Sequence, residues 1–187
     1  AIPGTTGFES AGSMRYLFER VWGVPYAEVS AEQIKAGLSG IDVLLVPDGY
    51  AKGGLQALGA KGQKALLAWV EGGGRYVGYR GGTELAVGAG LSTAVLQATH
   101  TAAPGTLIRV VLDPASPLAA GIPKATESTP TAWLMYDNDD RMSLGLGSTV
   151  ARFPAQGEPA FHTSGLAIGV DELAGSAAIV DEPVGNG

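Results

Sequence analysis

The sequence contains no cysteine. That absence excludes disulfides, thiolate metal sites and a cysteine nucleophile together. It leaves the compartment open, because cysteine-free chains occur on both sides of a membrane. Positive charge is scarce as well. Twelve Lys and Arg stand against eighteen Asp and Glu, a formal net charge of −6. The basic residues form no cluster, so neither a nucleic-acid backbone nor an anionic membrane is expected as a partner. No apolar run approaches the roughly 18 residues that span a bilayer. No leader peptide is visible, and a chain starting at Ala1 is compatible with one having been removed. Charged residues make up only 16% against 45% hydrophobic ones, which is a globular composition. The 29 glycines and 11 prolines sit at turns without a Gly-X-Y period, so collagen is excluded. At 187 residues the expectation is one domain with a sizeable core.

Residues 10–22, SAGSMRYLFERVW, place Met14, Leu17, Phe18, Val21 and Trp22 at helical spacing and predict an amphipathic helix ending at Gly23. YAEVS (26–30) is a short strand candidate, and residues 31–38 read as a short helix or turn. IDVLLVPDG (41–49) is a continuous apolar run closed by Pro-Asp-Gly, the pattern of a strand buried on both faces. A helix over 55–71, a strand RYVGY at 75–79 and a helix from Gly82 to Val87 follow. This alternation predicts an α/β doubly wound, mostly parallel sheet. Beyond about residue 104 the strand candidates 106–112, 132–137, 148–153 and 176–183 are joined by Pro- and Gly-rich loops. They are expected to add antiparallel strands to the same sheet, within a single domain 1–187. The first helix has no strand before it, and DEPVGNG reads as a hairpin turn without its return strand. The chain is therefore expected to be a fragment of a longer polypeptide.

The stretch YVGYRGGTELA (76–86) carries the chemical question. A strand, a turn with small residues two before and two after its tip, and a helix make a nucleophile elbow. Gly78 and Gly82 stand at those positions, Gly81 follows the tip, and the tip is Arg80. A guanidinium stays protonated and cannot attack a carbonyl. Thr83 lies further into the helix without an evident base. The plainer reading is that the glycines only permit tight strand–helix packing.

Taken together, DVLLVPDGY and LLAWVEGGGRYVGYRGGTELA resemble the class I glutamine amidotransferase-like superfamily over roughly residues 10–95. The resemblance implies a flavodoxin-like fold, an oxyanion-hole turn at Pro47-Asp48-Gly49 and an elbow in which Arg80 replaces the cysteine. Asp48 departs from the superfamily's Pro-Gly-Gly turn. More narrowly, ESAGSMRYLFERVWGVPY (9–26), IDVLLVPDGY (41–50) and FHTSG…GSAAIVDEPVGNG (161–187) are similar to the amidotransferase-like domain that follows the catalytic domain in bacterial zinc carboxypeptidases of the carboxypeptidase A type. That resemblance implies a non-catalytic accessory domain of a secreted metallopeptidase, extracellular or periplasmic. Its partner would be the parent's own peptidase domain, with a peptide substrate as a second candidate.

Such peptidases hold zinc through His-x-x-Glu and a distant third histidine. His100 and His162 are followed by HTAA and HTSG patterns with no Glu at the third place, so no zinc site of that type is expected here. Any zinc belongs to the parent's catalytic domain, and no cofactor is expected in this segment. Cysteine–histidine amide chemistry lacks its thiol. Ser10 and Ser164 are isolated serines without an elbow. DNDD (137–140) lacks the spacing of a calcium loop and reads as a solvated turn. Arg80, at a helix N-terminus that favours anions, is expected to pair with Asp48, Glu9 or Glu84 beside Gly49, or to hold an anion such as a peptide carboxylate. The internal pair is the favoured expectation, because buried arginines are usually paired. Two other classes stay open: a free-standing amidotransferase-like small-molecule hydrolase, and an anion-binding module.

Overall fold

The computed structural model describes residues 5–122, 131–136, 140–158 and 162–187, backbone only at 131–136, 162 and 163. They group into two compact units. One runs to Ser92 and takes back Pro183–Gly187; the other is Thr93–Glu182.

The first unit opens with helix α1 (Phe8–Tyr16), which widens into a π-helical turn at Leu17–Trp22 and stops at Gly23 in the left-handed conformation. The helix expected at 10–22 is present, but its apolar face is not buried. No residue of either segment is buried, and Trp22 is 57% exposed. Phe18 instead packs against Trp22 and Tyr26, at ring-centroid distances of 5.4 and 5.6 Å. The strand expected at 26–30 does not form. An extended segment becomes a strand only when a neighbour completes its ladder, and no described strand lies alongside it.

Helix α2 (Ala31–Ala36) starts at a capping box. The Gln33 amide donates to Ser30 Oγ at 3.3 Å, and the Ser30 amide donates to Gln33 Oε1 at 2.8 Å. Strand β1 (Val43–Val46) pairs in parallel with β2 (Arg75–Gly78), Val43 opposite Arg75 and Val46 opposite Gly78. Helix α3 (Ala51–Glu71) is the crossover between them, and Trp69 Nε1 donates to Ile41 O at 3.1 Å, tying its end to the entry of β1. It begins four residues earlier than the expected 55, because Ala51 and Gly54 pack inward. Helix α4 (Gly81–Gly88) follows β2. Leu44, Leu58, Leu66, Val70 and Leu85 form the core of this unit. The closing turn docks back here: the Asn186 amide donates to Glu71 O at 3.0 Å.

The second unit is a seven-stranded sheet of β3 (Val95–Gln97), β4 (Thr106–Leu112), β5 (Thr131–Tyr136), β6 (Arg141–Ser143), β7 (Ser148–Arg152), β8 (His162–Ser164) and β9 (Ala177–Asp181). The order is β3-β6-β9-β7-β4-β5, with β8 pairing β4, and every pairing is antiparallel. Ile108, Val110, Leu112, Ala151, Phe153 and Leu173 form its core.

The chain is thus mixed α/β, with the expected parallel pair. The C-terminal strands do not join that pair, as the doubly wound expectation required; they make a sheet of their own. Parallel neighbours need a crossover of a dozen or more residues, usually a helix. Beyond α4 the described residues hold no further α-helix, only two 3-10 turns, Pro117–Ala119 and Val170–Leu173, so the usual crossover of a parallel pair is missing and the strands pair antiparallel. The strands expected near 106, 132, 148 and 176 are present within a residue or two, with residue 137 outside the described part. The short strands β3, β6 and β8, three residues each, carry too little periodicity to be read in advance.

Candidate functional site

The parallel register brings two turns together. Val46 stands opposite Gly78, so Pro47-Asp48-Gly49 and Tyr79-Arg80-Gly81 leave the same end of the sheet side by side. The Tyr79 amide donates to Val46 O at 3.0 Å and holds them there. Helix α4 starts at once, with the Gly82 amide on Tyr79 O and the Glu84 amide on Arg80 O.

At the tip, Arg80 has φ 47° and ψ −110°; among the described residues it is the one non-glycine residue with positive φ. A side chain held in so sparsely populated a region costs about 1–3 kcal/mol. The glycines around it answer to close approach. A Cβ on Gly78 would lie 2.7 Å from the Gly82 carbonyl carbon, and one on Gly82 would meet Val46 O. The Tyr76 hydroxyl donates to Gly82 O at 2.6 Å. Burial pushes its pKa up, which keeps the phenol protonated and donating.

Asp48 sits at the centre. Its Oδ1 accepts the Gly49 amide at 2.8 Å and the Gly81 amide at 3.0 Å, and its Oδ2 lies 3.2 Å from Arg80 Nη1. Both side chains are a little under a third exposed. The Asp48 amide donates to Ser10 Oγ at 3.1 Å, and its carbonyl accepts the Gly7 amide at 2.7 Å. Two main-chain N–H groups converging at these distances on one oxygen have the donor geometry of an oxyanion hole. Here the oxygen they hold belongs to the protein. The carboxylate also faces the N-terminus of α4, where the dipole favours a negative charge.

Of the residues singled out in the sequence, Asp48, Gly49, Arg80 and Gly81 come together, with Gly78 and Gly82 beneath them. Glu9 and Glu84 are exposed, on α1 and in the first turn of α4. Thr83 lies in that same turn. Ser10 is not isolated, as its sequence context suggested, but anchors the Asp48 backbone. Ser164 is exposed on β8. Both histidines belong to the second unit. The His100 side chain is 94% exposed with Nδ1 3.4 Å from Glu172 Oε1; the backbone of His162 stands opposite Ile108, and its side chain lies outside the described part. Residues 137–139 of DNDD lie outside it too. Among the described residues, no three His, Cys, Asp or Glu side chains gather into a metal-binding group.

Sequence reasoning missed Ser10 and Tyr76 as supports of the turns, and missed that Gly49 and Gly81 donate to Asp48 itself. One signal was available: Asp at a Pro-Asp-Gly turn commonly accepts a nearby main-chain amide. Comparison of the chain with protein-family models, with curated proteins and with solved structures finds no match.

Proposed function

We propose that this chain is a non-catalytic amidotransferase-like module, flavodoxin-like in its first unit, that serves as the accessory domain of a secreted zinc carboxypeptidase. The observation that carries the non-catalytic part is the Asp48 carboxylate, which occupies the two-donor hole beside an arginine tip. A hole filled by a tethered carboxylate has no room for the oxyanion of an acyl-transfer intermediate, and Arg80 offers no nucleophile. The accessory role rests on the sequence resemblance, and so does the extracellular or periplasmic location. On this reading the zinc and its ligands belong to the peptidase domain of the same polypeptide, and that domain is the partner.

Two measurements test it. The double variant Asp48→Gly, Arg80→Cys empties the hole and restores a thiol at the tip. It is expected to release no ammonia from glutamine above buffer, because no histidine base belongs to the first unit. Measurable glutamine hydrolysis overturns the non-catalytic reading. Sequencing the gene on both sides of this chain is expected to show His-x-x-Glu and a later histidine; a parent without them overturns the carboxypeptidase assignment.

A further inference from the structure

The chain enters the second unit at Thr93 and leaves it at Glu182, after which Pro183–Gly187 returns to the first unit. Those two end residues are bonded to each other. The Thr93 amide donates to Glu182 Oε1 at 3.0 Å and to Oε2 at 3.1 Å, and the Thr93 hydroxyl donates to Oε1 at 2.5 Å. A third segment joins them. The Leu146 amide, in the loop between β6 and β7, donates to Thr93 Oγ1 at 2.7 Å. One hydroxyl thus donates to the carboxylate and accepts from the loop, which its single proton and two lone pairs allow. The loop is shaped for close approach. A Cβ on Gly145 would lie 2.0 Å from Thr93 Oγ1, and one on Gly147 would lie 3.1 Å from Glu182 Cβ.

Three observations say what this latch holds. First, its two residues are 89 apart in sequence, so it closes a loop that embraces the whole unit, and the entropy of that closure is offset only by structure formed inside the loop. Second, that structure is all present. Every strand pairing of the seven-stranded sheet falls between the two ends. So does the core built on Ile108, Val110 and Phe153, together with the residues packed against it. Third, the first unit is resumed after the latch. Val184 packs against the core that holds Leu58 and Leu66, and the Asn186 amide reaches Glu71 O. A segment with its own sheet, its own core and its two ends side by side has the anatomy of an inserted domain.

We propose that residues 93–182 are a domain inserted into the first unit, that this domain opens and closes as one cooperative unit, and that the contact between Thr93 and Glu182 is the latch on its opening. On this reading the chain holds two domains, where its length led to an expectation of one. Nothing in it depends on the elbow or on the parent polypeptide.

The test is native-state amide exchange in the full 187-residue chain at low urea, read separately for β4 and β7 and for α3. Thr93 is exposed, so changes at the latch empty no core site. In Glu182→Ala the amides of β4 and β7 are expected to exchange about tenfold faster, and those of α3 to change by less than about twofold. Thr93→Ser keeps the hydroxyl and is expected to match the wild type; Thr93→Val loses it and is expected to shift in the direction of Glu182→Ala. In the opposite sense, Leu58→Ala is expected to speed exchange in α3 by about thirtyfold or more and to leave β4 and β7 unmoved. Should Glu182→Ala fail to fold, Thr93→Val carries the same comparison. Three results overturn the proposal: equal acceleration of both sets in Glu182→Ala, which makes the chain one cooperative domain; acceleration of both sets by Leu58→Ala, which does the same; and no acceleration of β4 and β7 in either latch variant, which leaves the contact without a hold on the unit.

Discussion

Arg80 combines a backbone conformation suited to glycine with a cation beside a carboxylate. The pair is neither fully exposed nor buried, with both side chains near 30% accessible. Asp48 keeps two main-chain donors when the guanidinium is removed. Arg80→Ala is therefore expected to cost about 1 kcal/mol, above most surface pairs and well below the 3–5 kcal/mol that follows when a buried charge is stranded. Arg80→Gly also loses the pair but releases the strain of a Cβ at φ 47°. It is expected to be more stable than Arg80→Ala by about 1 kcal/mol. Urea unfolding of the two variants checks the order. The reverse order would show that the tip is unstrained and that the methylenes of Arg80 contribute packing.

Among the elements of the second unit, β7 ends in a tight ionic clasp. Arg152 holds both oxygens of Glu158 at 2.9 Å, and the Ala155 amide adds a third bond at 2.9 Å. The Arg152 guanidinium first, and that amide second, bring the Glu158 pKa from 4.5 down to about 2. The folded pKa lies below the unfolded one. The stabilisation is therefore full above about pH 4.5 and is lost as pH falls toward 2. Urea midpoints of the wild type and of Glu158→Gln should differ near neutral pH, with the variant lower, and converge in strong acid. A gap that persists below pH 2 would mean that the substitution acts through loop geometry and not through charge. Strand pairing follows a similar division between near and far. YAEVS carries the residue types of a strand, yet no described strand pairs with it and it stays extended.

For the whole molecule, the sharpest expectation concerns metal. The described residues hold no three-ligand group, and the His100 side chain is almost fully in solvent. The chain, purified without a histidine tag, is expected to carry far less than one zinc per molecule by elemental analysis. One zinc per chain that is lost in a His100→Ala, His162→Ala variant would overturn the assignment of zinc to a separate peptidase domain.

What the residues alone determined is local and short in range. The missing cysteine removes thiol chemistry, IDVLLV and RYVG mark two apolar strands, and Gly78-x-Arg80-x-Gly82 marks a turn with no room for side chains. Each of these is written within a window of a few residues, where periodicity and sterics decide. Tertiary structure alone decided the rest. Asp48 Oδ1 and the Gly81 amide are 33 residues apart in sequence, and only the register that sets Val46 against Gly78 makes them partners. The helical pattern at 10–22 states which face is apolar but not what covers it. The strands after α4 form their own antiparallel sheet because no further α-helix among the described residues supplies a crossover, and which edges pair depends on the whole set of strands present.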